Sequence, residues 1–352
     1  MPTPQDPRAP LREPTPYPAL NGLLSVFTER VRAVLGQNFV GAYLVGSLAL
    51  GDFDENSDCD FVVVTRRDIT EVERPALQAM HDTLHDLAPP WGLRLEGSYF
   101  PAGILRRWSL EPSDPPDTPP RPAGWADPGT GGSPRHVYPL LFLGNGERVL
   151  VRSEHDNLRL VRWIAREKGV VLAGPHPKTL IDPVTPDALR GEVREAMRTY
   201  AERHGTAEKI DAAWLQAFWV VVYCRMLHSL ETGRVTSKKA ATAWTMSHVE
   251  ARWRPLIERA FATRFSSPQV VLGPPDPGEV TETVAFVQHV LGLEAQKTAQ
   301  AQRAAAITAR HMERAMNRPN PRDRGLGLSG RGPSRGGWTP TPTRPGGRGR
   351  RG

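Results

Sequence analysis

The chain has 352 residues, enough for about two domains of ordinary size, and 39% of them are hydrophobic, enough for packed cores. No run of about 18 apolar residues occurs, so no membrane span is expected. The formal net charge is +7, but much of the excess sits in the last segment from Arg318 onward, and only two cysteines occur, Cys59 and Cys224. A disulfide framework is therefore not expected, and the reducing cytoplasm is the expected compartment.

The first 19 residues are Pro-rich, contain no apolar core of a secretory signal, and are expected to be disordered. From Asn21 to Leu35 apolar residues recur at helical spacing: Leu23, Leu24, Phe27, Val31, Val34 and Leu35. FVGAYLVGS, from Phe39, reads as a strand running into a Gly-Ser turn. DFVVVT, from Asp60, is short, continuous and rich in β-branched residues, so it reads as a strand buried on both faces. A helix is expected between Glu71 and Leu87, and LRLEGSYF, from Leu93, reads as a strand of alternating character. Prolines and glycines exclude regular structure over 111–134. VYPLLFL, from Val137, is strand-like, and SEHDNLRLVRWIAREKGVVLAGP, from Ser153, reads as a helix followed by a strand.

Beyond Pro186 the pattern is helical. One helix is expected from there through His204, and a strongly apolar one from Asp211 that stops at Gly233. Others are expected around SKKAATAWTMSHV, around RWRPLIERAFATRF, and from Glu279 to about Met316. The Arg/Gly/Pro-rich tail over 317–352 is expected to be disordered, with weak non-specific nucleic-acid contact as the most it offers.

The chemistry concentrates in GSLALGDFDENSDCDFVVV, Gly46 to Val64. Side chains two apart on a strand share a face, so Asp58 and Asp60 converge while Cys59 turns into packing. Two carboxylates at ~4 Å repel by about 1 kcal/mol in water and several times more at a low effective dielectric. A divalent cation removes that repulsion, and hard oxygen ligands suit Mg²⁺, which takes one or two carboxylates plus substrate phosphates. Gly46 permits close backbone approach, and the Ser47 hydroxyl can bond phosphate oxygens. Asp58 and Asp60 are thus candidate metal ligands, and Gly46 and Ser47 candidate nucleotide-binding residues, of a phosphoryl- or nucleotidyl-transfer site.

The same stretch resembles the Gly-Ser…Asp-x-Asp signature of the polymerase-β-like nucleotidyltransferases. REKGVVLAGPHPKTLIDPV (from Arg166), TGRVTSKKAATAW (from Thr232) and ARWRPLIERAF (from Ala251) resemble segments of one branch, the aminoglycoside (streptomycin/spectinomycin) 3''- and 9-adenylyltransferases. The resemblance implies an α+β fold: a polymerase-β-like domain over 20–184, a mixed sheet with helices on one side, then an all-α helical bundle over 185–316. It implies Mg²⁺ and ATP, with AMP passed to a hydroxyl of a small-molecule acceptor, an aminoglycoside or aminocyclitol among those the branch uses. It also implies Glu96 as the catalytic base and Lys238 as a nucleotide contact. A monomer is expected. Two other readings stay open: an antitoxin-type enzyme that adenylylates a protein, and a non-catalytic nucleotide-binding protein of the same fold.

The chain departs from the branch in the apolar helix. Leu215 and Phe218 stand where streptomycin-accepting members carry an acid and a polar residue, although Glu208 and Asp211 lie nearby. The stripe Trp214, Phe218, Trp219, Val222 and Met226 reads as core. His155 and Asp156 read first as capping residues of the helix that follows them, with substrate contact as the other reading. No HExxH spacing, zinc cluster or Walker P-loop is present.

Overall fold

The computed structural model describes residues 13–108, 137–204, 206–263, 265–266 and 268–316. The expectations for most of the Pro-rich N-terminus, for the Pro/Gly-rich segment 111–134 and for the tail 317–352 fall outside these residues. Two compact units are present, Met1–Ala295 and Gln296–Gly352. The sheet half, and the helical half as far as Ala295, belong to the first.

The N-terminal half runs α1 (Pro18–Leu35), β1 (Phe39–Leu44), α2 (Gly46–Leu50), β2 (Cys59–Thr65), α3 (Arg74–His85), β3 (Leu95–Pro101), α4 (Ala102–Arg106), β4 (Leu140–Leu143), β5 (Val151–Ser153), α5 (Arg159–Lys168) and β6 (Val170–Ala173). The six strands form one mixed sheet in the order β5-β4-β3-β2-β1-β6. Only β2 and β3 pair in parallel, because the connection between them crosses over through α3; the remaining pairs are antiparallel.

Both faces of the sheet are covered, which corrects the expectation of helices on one side. On one face α1 lays down Leu20, Leu23, Leu24, Phe27 and Val31, and α3 adds Leu77, Met80 and Leu84, against Leu44, Phe61, Val63 and Tyr99. Each such side chain removed from water contributes about 1.5–3 kcal/mol before chain entropy is charged. On the other face Tyr43, Val62, Val64 and Phe100 pack against Leu105, Ile164, Ala165, Ile181 and Leu189. Burial on both sides explains the unbroken apolar run of β2, and in β3 it leaves every residue but Glu96 buried rather than alternating.

One buried cation ties this second face together. Arg162 of α5 is 2% exposed and donates to the carbonyls of Ile104, Leu105 and Leu158 and to Asn157 Oδ1. Four acceptors satisfy a fork that burial would otherwise penalise.

The C-terminal half is helical: α6 (Pro186–His204), α7 (Ala213–Thr232), α8 (Lys238–His248), α9 (Arg254–Thr263), α10 (Pro268–Val271) and α11 (Pro277–Met316). α7 is the central element. Trp219, Val220, Tyr223, Cys224 and Leu227 pack with Met197, Ile257, Phe286 and Val290 in the bundle core. It ends where expected, at Gly233, whose φ of +65° is the left-handed cap conformation. The part of α11 in the second unit, from Gln296 onward, is mostly exposed. Among the described residues no helix is long and apolar enough to cross a membrane.

Candidate functional site

A cavity of about 730 Å³ is lined by the ends of β2 and β3, by α2, by the loop before α5, and by α6, α7 and the start of α8. Gly46, Ser47, Asp58, Asp60, Glu96 and Lys238 all line it. Residues up to 192 positions apart in the chain therefore meet in one place.

The Gly-Ser segment does not form a simple turn. Gly46 and Ser47 open the one-turn helix α2, which closes on Gly51 in the left-handed conformation. Gly46 has φ +56°, and a Cβ there would fall 1.8 Å from Asp60 Oδ2. Any other residue would collide with the carboxylate. The backbone seals the same contact, since Val45 N donates to Asp60 O at 2.9 Å. So the first strand's exit is held directly against the second strand's aspartate.

Asp58 stands just before β2, not on it, and Asp60 is the second residue of the strand. Asp58 Oδ1 accepts from Asn145 Nδ2 at 2.7 Å. Asp60 sits in register beside Glu96 on the parallel neighbour β3. Burial, then the charges of Asp58 and Asp156, push Asp60 up to about 7. Burial, then Asp60, Asp58 and Asp156, push Glu96 up to about 8. Lys238 opposes both shifts, and Arg225 of α7 opposes that of Asp60.

Crowded carboxylates with raised affinities for protons are equally a site for another cation. The donors are oxygens only, which suits Mg²⁺ rather than a soft metal. Among the described residues no three His, Cys, Asp or Glu converge closely enough to hold an ion unaided.

Arg225 is not legible in the sequence, and Asp156 and His155, for which substrate contact is the second reading, also line the cavity. Arg225 is hidden in the apolar run of α7, yet it lines the cavity together with Lys238. Asp156 accepts from Ser98 Oγ at 2.7 Å and lines the cavity, and its proton affinity is raised by burial. It does not cap α5: the amides of Arg159 and Leu160 at the start of that helix donate to Glu192 of α6, at 2.7 and 2.9 Å. Its neighbour His155 brings Nε2 to 3.6 Å from Glu96 Oε1. The expected core stripe also divides. Trp219 and Met226 are buried, whereas Phe218 and Trp214 are 37% and 45% exposed, and Phe218 faces the cavity. Glu208 and Asp211 are not among the lining residues.

Residues 29–99 match the family described as nucleotidyltransferase domain, and residues 180–289 match the one described as aminoglycoside adenylyltransferase, C-terminal domain. No curated protein is significantly similar to the chain. Among solved structures, spectinomycin adenyltransferase AAD(9) from Enterococcus faecialis, determined with ATP and spectinomycin, superposes with a TM-score of 0.53 at 15% identity, over 77% of this chain and 98% of that one. At that identity the likeness is one of fold, and it spans both halves. With the two family matches in order along a single fold, the chain is an enzyme of the nucleotidyltransferase class, of the aminoglycoside adenylyltransferase type.

Proposed function

We propose that the protein transfers AMP from ATP, in the presence of Mg²⁺, to a hydroxyl of a small-molecule acceptor. The observation that carries this reading is the placement of Asp60 beside Glu96 on adjacent parallel strands, with Gly46 packed directly against the Asp60 carboxylate. The solved neighbour's ATP and spectinomycin are consistent with a nucleotide and a small hydroxylated acceptor.

Asp58 and Asp60 would hold the metal. When bound there, Mg²⁺ supplies charge neutralisation to the triphosphate and to the pyrophosphate that leaves. Ser47 would bond a phosphate oxygen through its hydroxyl. Lys238 and Arg225 reach the same cavity from the helical half and would balance phosphate charge, each through charge-assisted hydrogen bonds. Glu96 would accept the proton of the acceptor hydroxyl as its oxygen attacks the α-phosphorus in line. Burial raises the proton affinity of Glu96, which suits a group that must take up a proton.

The test is calorimetric titration of ATP with and without Mg²⁺ into wild type and Asp60→Ala. The expected result is metal-dependent ATP binding by the wild type that Asp60→Ala loses while keeping its fold by circular dichroism. Unchanged Mg·ATP binding by folded Asp60→Ala would remove the metal assignment.

A further inference from the structure

Helix α8 brings Lys238 to the cavity on its first turn, and that turn is held in two ways. Ser237, at the N-cap, accepts from Ala240 N through its hydroxyl at 3.2 Å, the ordinary local cap of a helix. The amide of Lys239 is another donor that a helix start leaves without an intrahelical partner. It donates to Asp52 Oδ2 at 3.0 Å. Asp52 lies 187 residues away in the chain and belongs to the sheet half.

Asp52 is fixed from its own side as well. It follows Gly51, whose left-handed conformation closes α2, and its amide donates to the carbonyl of Ser47 at 3.1 Å. One residue is therefore bonded to Ser47 through its backbone and to α8 through its side chain. Nearby, Val235 on the approach to α8 is buried in the same apolar cluster as Ala49 and Leu50 of α2. The Gly-Ser helix and the start of α8 thus share an apolar cluster and a charge-assisted hydrogen bond.

The second cap is more than α8 needs to form, because Ser237 already supplies the local one. What Asp52 adds is position. Lys238 ends in a point charge on a flexible four-carbon stem, so the reach of its ammonium depends on where the backbone beneath it is held. Its charge acts on Asp60 and Glu96, where it opposes the rise in proton affinity that burial imposes on each. A carboxylate is also the charge that a helix N-terminus favours, so the bond draws α8 toward the sheet half.

We propose that Asp52 is a positioning residue for the nucleotide: by accepting from Lys239 N it fixes the first turn of α8 against the Gly-Ser helix and holds Lys238 over the place the triphosphate occupies. The inference rests on the reading of the cavity as a nucleotidyl-transfer site, and in it Asp52 acts through Lys238.

The experiment titrates Mg·ATP, without acceptor, into the full chain by calorimetry. The proteins are wild type, Asp52→Ala, Asp52→Asn, Lys238→Ala and the double variant Asp52→Ala with Lys238→Ala, each checked for its fold by circular dichroism. Asp52→Ala is expected to weaken Mg·ATP binding about fivefold, the order of one lost hydrogen bond. Asp52→Asn keeps an oxygen that can accept from Lys239 N and should stay within about twofold of wild type. In the Lys238→Ala background Asp52→Ala should cost less than about twofold more, because the group it positions is gone. A merely structural role would lower the melting temperature and leave these affinities alone. Unchanged affinity in folded Asp52→Ala, an Asn variant as weak as the Ala variant, a Lys238→Ala variant that binds as wild type does, or additive losses in the double variant would each overturn the proposal. The wild-type titration separates the two readings. Any of those four results with a wild type that binds Mg·ATP removes the role of Asp52 alone; a wild type that does not bind Mg·ATP removes the nucleotidyl-transfer reading with it.

Discussion

The sheet half and the helical half present opposite chemistry to the same cavity. The sheet half brings Asp58, Asp60, Glu96 and Asp156, a surplus of negative charge that the fold does not neutralise locally. The helical half brings Lys238, Arg225 and a wall of apolar and aromatic side chains. Neither half makes a complete site. The first can hold a metal but has few groups to hold a triphosphate; the second can balance phosphate but has no carboxylate base to spare. The difference shows why the two halves share one compact unit: the site exists only where they meet.

That division of labour can be broken from either side. The largest effect is expected on the sheet side: Asp60→Asn should bring turnover down to background while the fold persists, as measured by pyrophosphate release and circular dichroism. Glu96→Gln should lower kcat by about 10²–10⁴-fold, the range for a lost general base, yet retain Mg·ATP binding. Loss of ATP affinity instead would make Glu96 a metal ligand.

A buried histidine beneath the sheet sharpens the comparison through pH. Burial pushes His81 down to about 4; its Nε2 lies 2.7 Å from the Tyr99 hydroxyl and its Nδ1 has no partner among the described residues. The folded pKa lies below the ordinary value of 6.5, so the unfolded chain takes the proton first. The stability gained by keeping the ring neutral is therefore full above pH ~6.5 and is lost as pH falls toward ~4, by ~3 kcal/mol at most. Urea midpoints measured between those limits should fall with acid, and a His81→Gln variant that folds should show a flatter profile. An equally steep profile in that variant would assign the acid sensitivity elsewhere.

On the helical side the effects should be smaller and should appear in binding. Arg225→Ala removes one charge-assisted contact of about 1.5–3 kcal/mol, so KM for ATP should rise ~10- to 100-fold with little change in melting temperature. A change confined to stability would make Arg225 structural. The smallest effect tests the seam itself. Glu192→Gln weakens the cap that α6 provides to α5, and about 1 kcal/mol of stability should be lost, read from urea midpoints.

The two halves also differed in how plainly they could be read. The sheet side of the site was legible because its signal is local: Gly46, Ser47, Asp58 and Asp60 lie within 15 residues, and strand periodicity alone puts the aspartates near one point. Even there the details shifted. The Gly-Ser turn is a one-turn helix, and Asp58 precedes its strand. Strand β5, three residues long, is too short to carry a periodic pattern. The helices were legible from apolar spacing and from Gly233, but which face of α7 met the cavity was not. An apolar helix can bury one face in a bundle and offer another to a ligand, and its sequence does not distinguish Trp219 in the core from Phe218 on the wall. Asp156 read as a cap because short polar residues before a helix usually cap it; Glu192, more than 30 residues away, does that work instead.

An adenylyltransferase passes on the α-phosphoryl group of ATP and releases the other two phosphates as pyrophosphate. The direct measurement is parallel incubation of the protein with Mg²⁺, an accepted hydroxyl compound, and ATP labelled at either the α- or the γ-phosphate. Transfer of AMP puts label in the acceptor only from α-labelled ATP, with the γ-label recovered in pyrophosphate. Transfer of the γ-label, or hydrolysis to ADP with no labelled acceptor, would contradict it.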